Sequence, residues 1–136
     1  MKAYLSRRYH FSASHRLNSE AYDAAQNYSV FGKCNNPHGH GHNYTVQVTL
    51  SGQVDPATGM VCNLADLDGF ALTNLIERFD HTNLNTLDCF QNDVSTTENI
   101  AIAVWNRLDK KIPNAKLHRV RIYEMPDLFA DYYGEL

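Results

Sequence analysis

Three histidines and a thiol crowd into one short run, Cys34-Asn35-Asn36-Pro37-His38-Gly39-His40-Gly41-His42-Asn43-Tyr44. Imidazole and thiolate are the side chains that hold zinc most readily, and a thiolate beside a cation can also remove protons. The run leads straight into Tyr44-Thr45-Val46-Gln47-Val48-Thr49-Leu50, whose alternation reads as a half-buried strand. Alternate side chains of an extended chain share a face, so His40 and His42 project with Tyr44, Val46, Val48 and Leu50. His38 has the same parity, which gives two possible histidine pairs. The hydrophobic alternation continues most directly from His42, and Pro37 places His38 near a turn, so we take His40 and His42 as the ligand pair and His38 as a rim residue. Gly39 and Gly41 leave the other side bare for a close backbone or ligand.

Two ligands do not make a site, and His15 is the natural third. It lies on the apolar parity of an upstream alternating segment, where a neighbouring antiparallel strand can bring it beside His40 and His42. Three histidines leave a tetrahedral zinc ion one open position, the pattern of catalytic zinc. The competing reading, an ordinary core histidine bonded to backbone, loses ground because the histidine pair is present. Cys34 stands six residues before His40 in a polar, irregular segment that can fold its sulfur over the metal. There it would be a base or a nucleophile. Cys62 and Cys89 fit better as small apolar side chains.

Three further groups belong with these. Asp80-His81 joins a carboxylate to an imidazole, the usual means of setting a histidine's tautomer and basicity. Glu124 shares the parity of Val120 and Ile122 at a strand end, where a carboxylate needs donors, such as the ring N–H and amine of an amino-pyrimidinone. Thr96, Thr97 and Glu98 open a helix and can touch a ligand through hydroxyls and free N–H groups, although capping alone would explain Glu98. Arg7, Arg8, Arg16 and Lys33 are candidate phosphate partners.

The elements that must position these groups read in order. Residues 2 to 15 alternate and form a first strand, and residues 18 to 33 lack a period and read as loop. A second strand runs from about His40 to Gln53. Asp66 caps a helix carrying Leu67, Phe70, Ala71, Leu75 and Phe79, which ends near Asp80-His81. Ser95-Thr96-Thr97-Glu98 matches a capping box for a second helix through Ile100, Val104, Trp105, Leu108 and Ile112, stopped at Pro113. Val120 and Ile122 mark a third strand and Leu128 to Tyr133 a fourth. The order strand, strand, helix, helix, strand, strand predicts an α+β protein, a four-stranded antiparallel sheet with two helices on one face and open edges suited to assembly.

With 136 residues the chain suits one domain spanning 1–136. Its net charge of -3 argues against an electrostatic nucleic-acid binder. The first residues reach charge before an apolar run can form, no segment has membrane-spanning length, and an odd count of three cysteines suits reduced thiols. These features predict a cytoplasmic protein with no membrane or nucleic-acid partner.

Five pieces in order, His15 within Phe-Ser-Ala-Ser-His-Arg, the Cys34 to Tyr44 run, Asp80-His81-Thr-Asn-Leu, Ser95-Thr-Thr-Glu-Asn99 and Tyr123-Glu124, resemble the 6-pyruvoyl-tetrahydropterin synthase family nearly end to end. The resemblance implies a tunnelling fold whose subunits join edge to edge into barrel-forming trimers, with two trimers stacked as a homohexamer and active sites at subunit interfaces. It implies zinc on His15, His40 and His42, and Cys34 as base assisted by Asp80 and His81. It places the pterin ring on Glu124 with Thr96, Thr97 and Glu98 nearby. The implied substrate is 7,8-dihydroneopterin triphosphate, with magnesium on the triphosphate. His38 departs from the family pattern and opens a shorter cysteine-to-histidine register, that of the related 6-carboxy-tetrahydropterin synthases of queuosine biosynthesis, which stand as the alternative. A zinc- and pterin-binding module without turnover is the reading from another class.

Overall fold

A computed structural model describes residues 1–134. The alternation at the N-terminus becomes β1 (Lys2–His15), and the histidine run becomes the start of β2 (His40–Gln53). These two strands pair antiparallel along their whole length, with Phe11 opposite Tyr44, Ala13 opposite His42 and His15 opposite His40. Between them lies a helix, α1 (Ala24–Phe31), where the sequence reads as loop. Asp23 caps it by accepting from the Gln26 N–H, and Asn27 is its one buried residue. Its Tyr28 and Val30 are exposed, so no apolar stripe announces it.

A helical stretch follows as α2 (Leu64–Ala71), a π-turn (Leu72–Ile76) and α3 (Glu77–Phe79). Its cap is Asn63, which accepts from the Ala65 and Asp66 N–H groups, and not Asp66, which sits in the first turn where its charge suits the helix dipole. After the two-residue strand β3 (Thr82–Asn83), α4 (Thr97–Leu108) is capped by Thr96 and not Ser95. It stops at Asp109, so the buried Ile112 lies beyond it. β4 (Lys116–Met125) and β5 (Leu128–Tyr132) complete the sheet.

The architecture is α+β, but the sheet has five strands and is mixed, in the order β3-β1-β2-β4-β5 with β3 parallel to β1. Two residues pairing with Ala13 and Ser14 are too few to leave a periodic signal, which is why four antiparallel strands were expected. The sheet is open, with β3 and β5 at its edges.

One sheet face carries Phe11, Tyr44, Val46, Val48, Leu50, Val120 and Ile122, all buried, and packs on Leu67, Leu75 and Phe79 of the first helical stretch and Ile100, Val104 and Leu108 of α4. Phe11 stacks on Tyr44 at 5.0 Å and meets Phe79 at 5.5 Å. Each such side chain contributes about 1.5–3 kcal/mol by leaving water. His15, His40 and His42 continue this face past the end of the apolar rows.

Candidate active site

The register of β1 on β2 does most of the positioning. Because His15 pairs with His40, and His42 follows two residues on, three imidazoles meet at one corner of the core face. Their ring centroids lie 4.7, 4.9 and 5.5 Å apart, each pair edge to face. Gly39, at φ +73°, lets the preceding turn close against β1; a Cβ there would sit 3.1 Å from the His15 carbonyl oxygen.

His15 is 1% exposed, and its Nδ1 donates to the Ser95 carbonyl at 2.7 Å. That bond leaves Nε2 of the neutral ring as an acceptor, and it faces His40 Nε2 at 3.1 Å. Glu124 joins them. It lies where β4 and β5 fall out of register between Tyr123 and Met125, and this bulge turns its carboxylate onto the cluster. Its Oε1 is 2.8 Å from His42 Nε2, and its Oε2 accepts from Thr97 Oγ1 at 2.5 Å. The approach to His42 lacks the direction of a hydrogen bond, so His42 Nε2 is buried without a hydrogen-bond partner. Together His15, His40, His42 and Glu124 offer donor atoms all within 4.8 Å of one another.

These residues fit a metal ion. Ligands bonded to one tetrahedral zinc lie roughly 3.4 Å apart, close to the two contacts at 2.8 and 3.1 Å. A buried ring nitrogen without a partner and two ring nitrogens facing each other are what such an ion resolves. Tyr44, fully buried beneath, places its hydroxyl 3.4 Å from His15 Nε2. Its phenol is pushed well above the ordinary range by burial first, then by the charges of Glu124 and Cys34.

Burial also holds His15 below the ordinary histidine value, helped by His40 and His42 and opposed by the Ser95 carbonyl and Glu124. His42 is lowered for the same first reason, with Glu124 opposing. Neutral imidazoles are the form a metal needs. The unfolded chain protonates both rings near pH 6.5, whereas the folded chain does so only further down, so acid favours unfolding. The urea midpoint of metal-free protein should therefore fall between about pH 7 and 5; a flat profile would contradict it.

Cys34 rides a short 3-10 turn (Gly32–Asn35) tied to the chain just past His15. Its carbonyl accepts from the Leu17 N–H at 2.9 Å, and Asn35 Nδ2 donates to the Leu17 carbonyl at 2.7 Å. The thiol is half-buried. Asp80 and His81 do touch, Oδ2 to Nδ1 at 2.9 Å. The Ser12 N–H, and then His81, hold the Asp80 carboxyl below the usual carboxylate range. His81 is largely exposed and lines a cavity with Ser12, Ser14, Gly41, His42 and Asn43, so it shares that opening with one of the three imidazoles.

Thr96 caps α4 by accepting from the Asn99 N–H, Thr97 is buried against Glu124, and Glu98 is exposed in the first turn. His38 is exposed, precedes β2 and stands outside the donor cluster, so the geometry assembles the His40–His42 register. Arg7 pairs with Asp68, Arg8 bonds Gln47 and Tyr123, and Arg16 donates to the Asn35 carbonyl. Sequence reasoning missed Glu124 as a fourth donor and Ser95 as the partner of His15. The parity Val120-Ile122-Glu124 held the first signal, but only the pairing of β4 with β2 brings that parity to the histidines.

An α+β sheet with three imidazoles and a carboxylate at one corner presents a group that could hold a metal ion, the equipment of enzymes that carry out metal-assisted proton transfer. Residues 4–135 match the family model described as 6-pyruvoyl tetrahydropterin synthase. The chain is 48% identical to human 6-pyruvoyl tetrahydrobiopterin synthase over 135 residues, covering 98% of this chain and 93% of that one. It is 47% identical to the Drosophila melanogaster enzyme of the same name, with coverages of 97% and 80%. The solved structure of Caenorhabditis elegans 6-pyruvoyl tetrahydropterin synthase superposes with a TM-score of 0.93 at 41% identity, over 99% of this chain and 97% of that one. The chain belongs to the 6-pyruvoyl tetrahydropterin synthase family, a family of lyases, and is an enzyme of that activity. Among the described residues no helix is long and apolar enough to cross a membrane.

Proposed function

We propose that this chain, acting in the cytoplasm as one domain over residues 1–136, converts 7,8-dihydroneopterin triphosphate to 6-pyruvoyl-tetrahydropterin and inorganic triphosphate. The observation that carries this reading is the convergence of His15, His40 and His42, two of their ring nitrogens facing each other and one without a hydrogen-bond partner, beside Glu124. The three histidines would hold zinc, and magnesium would accompany the triphosphate. Zinc, when bound, draws electron density from the substrate's side-chain oxygens and acidifies the neighbouring C–H bonds.

Cys34 takes the proton from the hydroxyl-bearing carbon next to the ring, and the electron pair left behind shifts into the ring's C=N bond, whose nitrogen and carbon gain protons. The ring is thereby reduced as that side-chain carbon becomes a ketone. Loss of the proton on the next carbon then expels triphosphate as the C–O bond breaks, and the resulting enol ketonises. Asp80 accepts from His81 Nδ1, fixing the ring so that Nε2 faces outward to exchange that proton. Glu124 anchors the pterin ring through its N–H and amine, with Thr97 holding the carboxylate and Thr96 and Glu98 at the rim. Incubating zinc-loaded protein with 7,8-dihydroneopterin triphosphate tests the proposal: triphosphate and a product with the mass of 6-pyruvoyl-tetrahydropterin are expected. A 6-carboxy product would overturn it, and the exclusion of His38 from the cluster speaks against that product.

The His81 side chain is largely exposed beside the edge strand β3, and this favours a site shared between subunits. The free edges of β5 and of β1 below Ala13 offer the means of joining copies into barrel trimers and a hexamer of two trimers. Co-expressed Cys34→Ala and His81→Ala chains, each nearly inactive alone, should then recover activity toward about a quarter of the sites. No recovery would place both groups in one chain.

A further inference from the structure

Glu124 has two partners in sight, and both are part of the site: the pterin ring it is proposed to anchor, and the metal cradle its carboxylate already touches. Oε1 lies 2.8 Å from His42 Nε2, and it completes with His15, His40 and His42 a set of four donors within 4.8 Å. Three histidines and one carboxylate are a full tetrahedral complement for zinc, which closes the position that a catalytic site must keep open. Thr97 Oγ1 holds the other carboxylate oxygen at 2.5 Å, so a small rotation about the Thr97 contact moves Oε1 without releasing Oε2. Thr97 is itself 6% exposed and fixed in the first turn of α4.

We propose that Glu124 is the metal's fourth ligand in the absence of substrate and is handed over to the pterin ring when substrate binds. The inference rests on the anchoring reading given above. A ring N–H and amine offer Glu124 two directed donors in place of one metal bond. Their arrival opens the metal position at the moment the substrate's side chain is brought beside it. Before that, the carboxylate keeps water and stray anions off the ion. Because one carboxylate serves both ligands, metal and pterin ring compete for it, and linkage makes the competition mutual.

The test uses cobalt as a spectroscopic stand-in for zinc and unsubstituted pterin, which has the ring but no side-chain oxygens. Adding pterin to the cobalt-loaded wild-type protein should shift the visible d–d bands. The same pterin should bind metal-free protein more tightly than loaded protein. Glu124→Gln, close to isosteric, should give altered cobalt bands at the outset, no further shift with pterin, and about tenfold or more weaker cobalt affinity in chelator competition. Wild-type bands indifferent to pterin, or identical bands in wild type and Glu124→Gln, would overturn the handover. If Glu124→Gln loses pterin affinity while its cobalt bands match wild type, the anchoring reading stands and the metal role falls. If the bands change and pterin affinity does not, the anchoring reading falls and the handover goes with it.

Discussion

Replacing Cys34 by alanine is expected to lower the rate of triphosphate release by about 10²- to 10⁴-fold, the usual contribution of a positioned base. Zinc content and pterin affinity should hardly change. The sulfur is not among the four donors of the cluster, and Glu124, which is proposed to hold the ring, takes its position from β4 and Thr97. The turn carrying Cys34 is fixed by backbone and Asn35 contacts to Leu17 and Asn18, none of which uses the thiol. The variant should therefore keep its fold and lose its rate. Single-turnover measurement of triphosphate release, with zinc analysis of the same sample, decides it. Near-wild-type turnover would remove Cys34 from the chemistry.

His40→Ala should abolish stable zinc binding, lowering affinity more than about 100-fold, and should abolish turnover with it. His40 Nε2 faces His15 Nε2 at 3.1 Å, and without it the remaining donors are His15, His42 and Glu124. His38→Ala is the matched control, since His38 lies two residues away in the same Gly-spaced run yet outside the cluster. It should retain zinc and rate. Loss of metal from His38→Ala with retention in His40→Ala would mean that the other histidine register operates in solution.

Much of this site was legible because strands report their faces directly. Period-two alternation placed His40, His42 and Tyr44 together, and it placed His15 on the apolar side of β1; the antiparallel pairing of these two successive strands then brings the two sets side by side. The misses share a physical cause. β3 is two residues long, and α1 buries only Asn27, so neither carries a hydrophobic period. The helix caps shifted by one to three residues because Asn63, Asp66, Ser95 and Thr96 are all chemically able to cap, and packing chooses between them. Glu124 as a fourth donor depends on a β4–β5 bulge and on β2 lying between β1 and β4, both properties of tertiary pairing. The outward position of His81 follows from the chain turning at positive φ (58°) just before β3, where Asp80 binds the Ser12 N–H.

The dependence of the reaction on the imidazole cluster is most directly tested by adding zinc stepwise to metal-free protein and following triphosphate release from 7,8-dihydroneopterin triphosphate. The rate should rise linearly from near zero and level off at about one zinc per chain. A full rate before any zinc is added, or a rise that continues well past one equivalent, would contradict the assignment of His15, His40 and His42 as the centre on which catalysis depends.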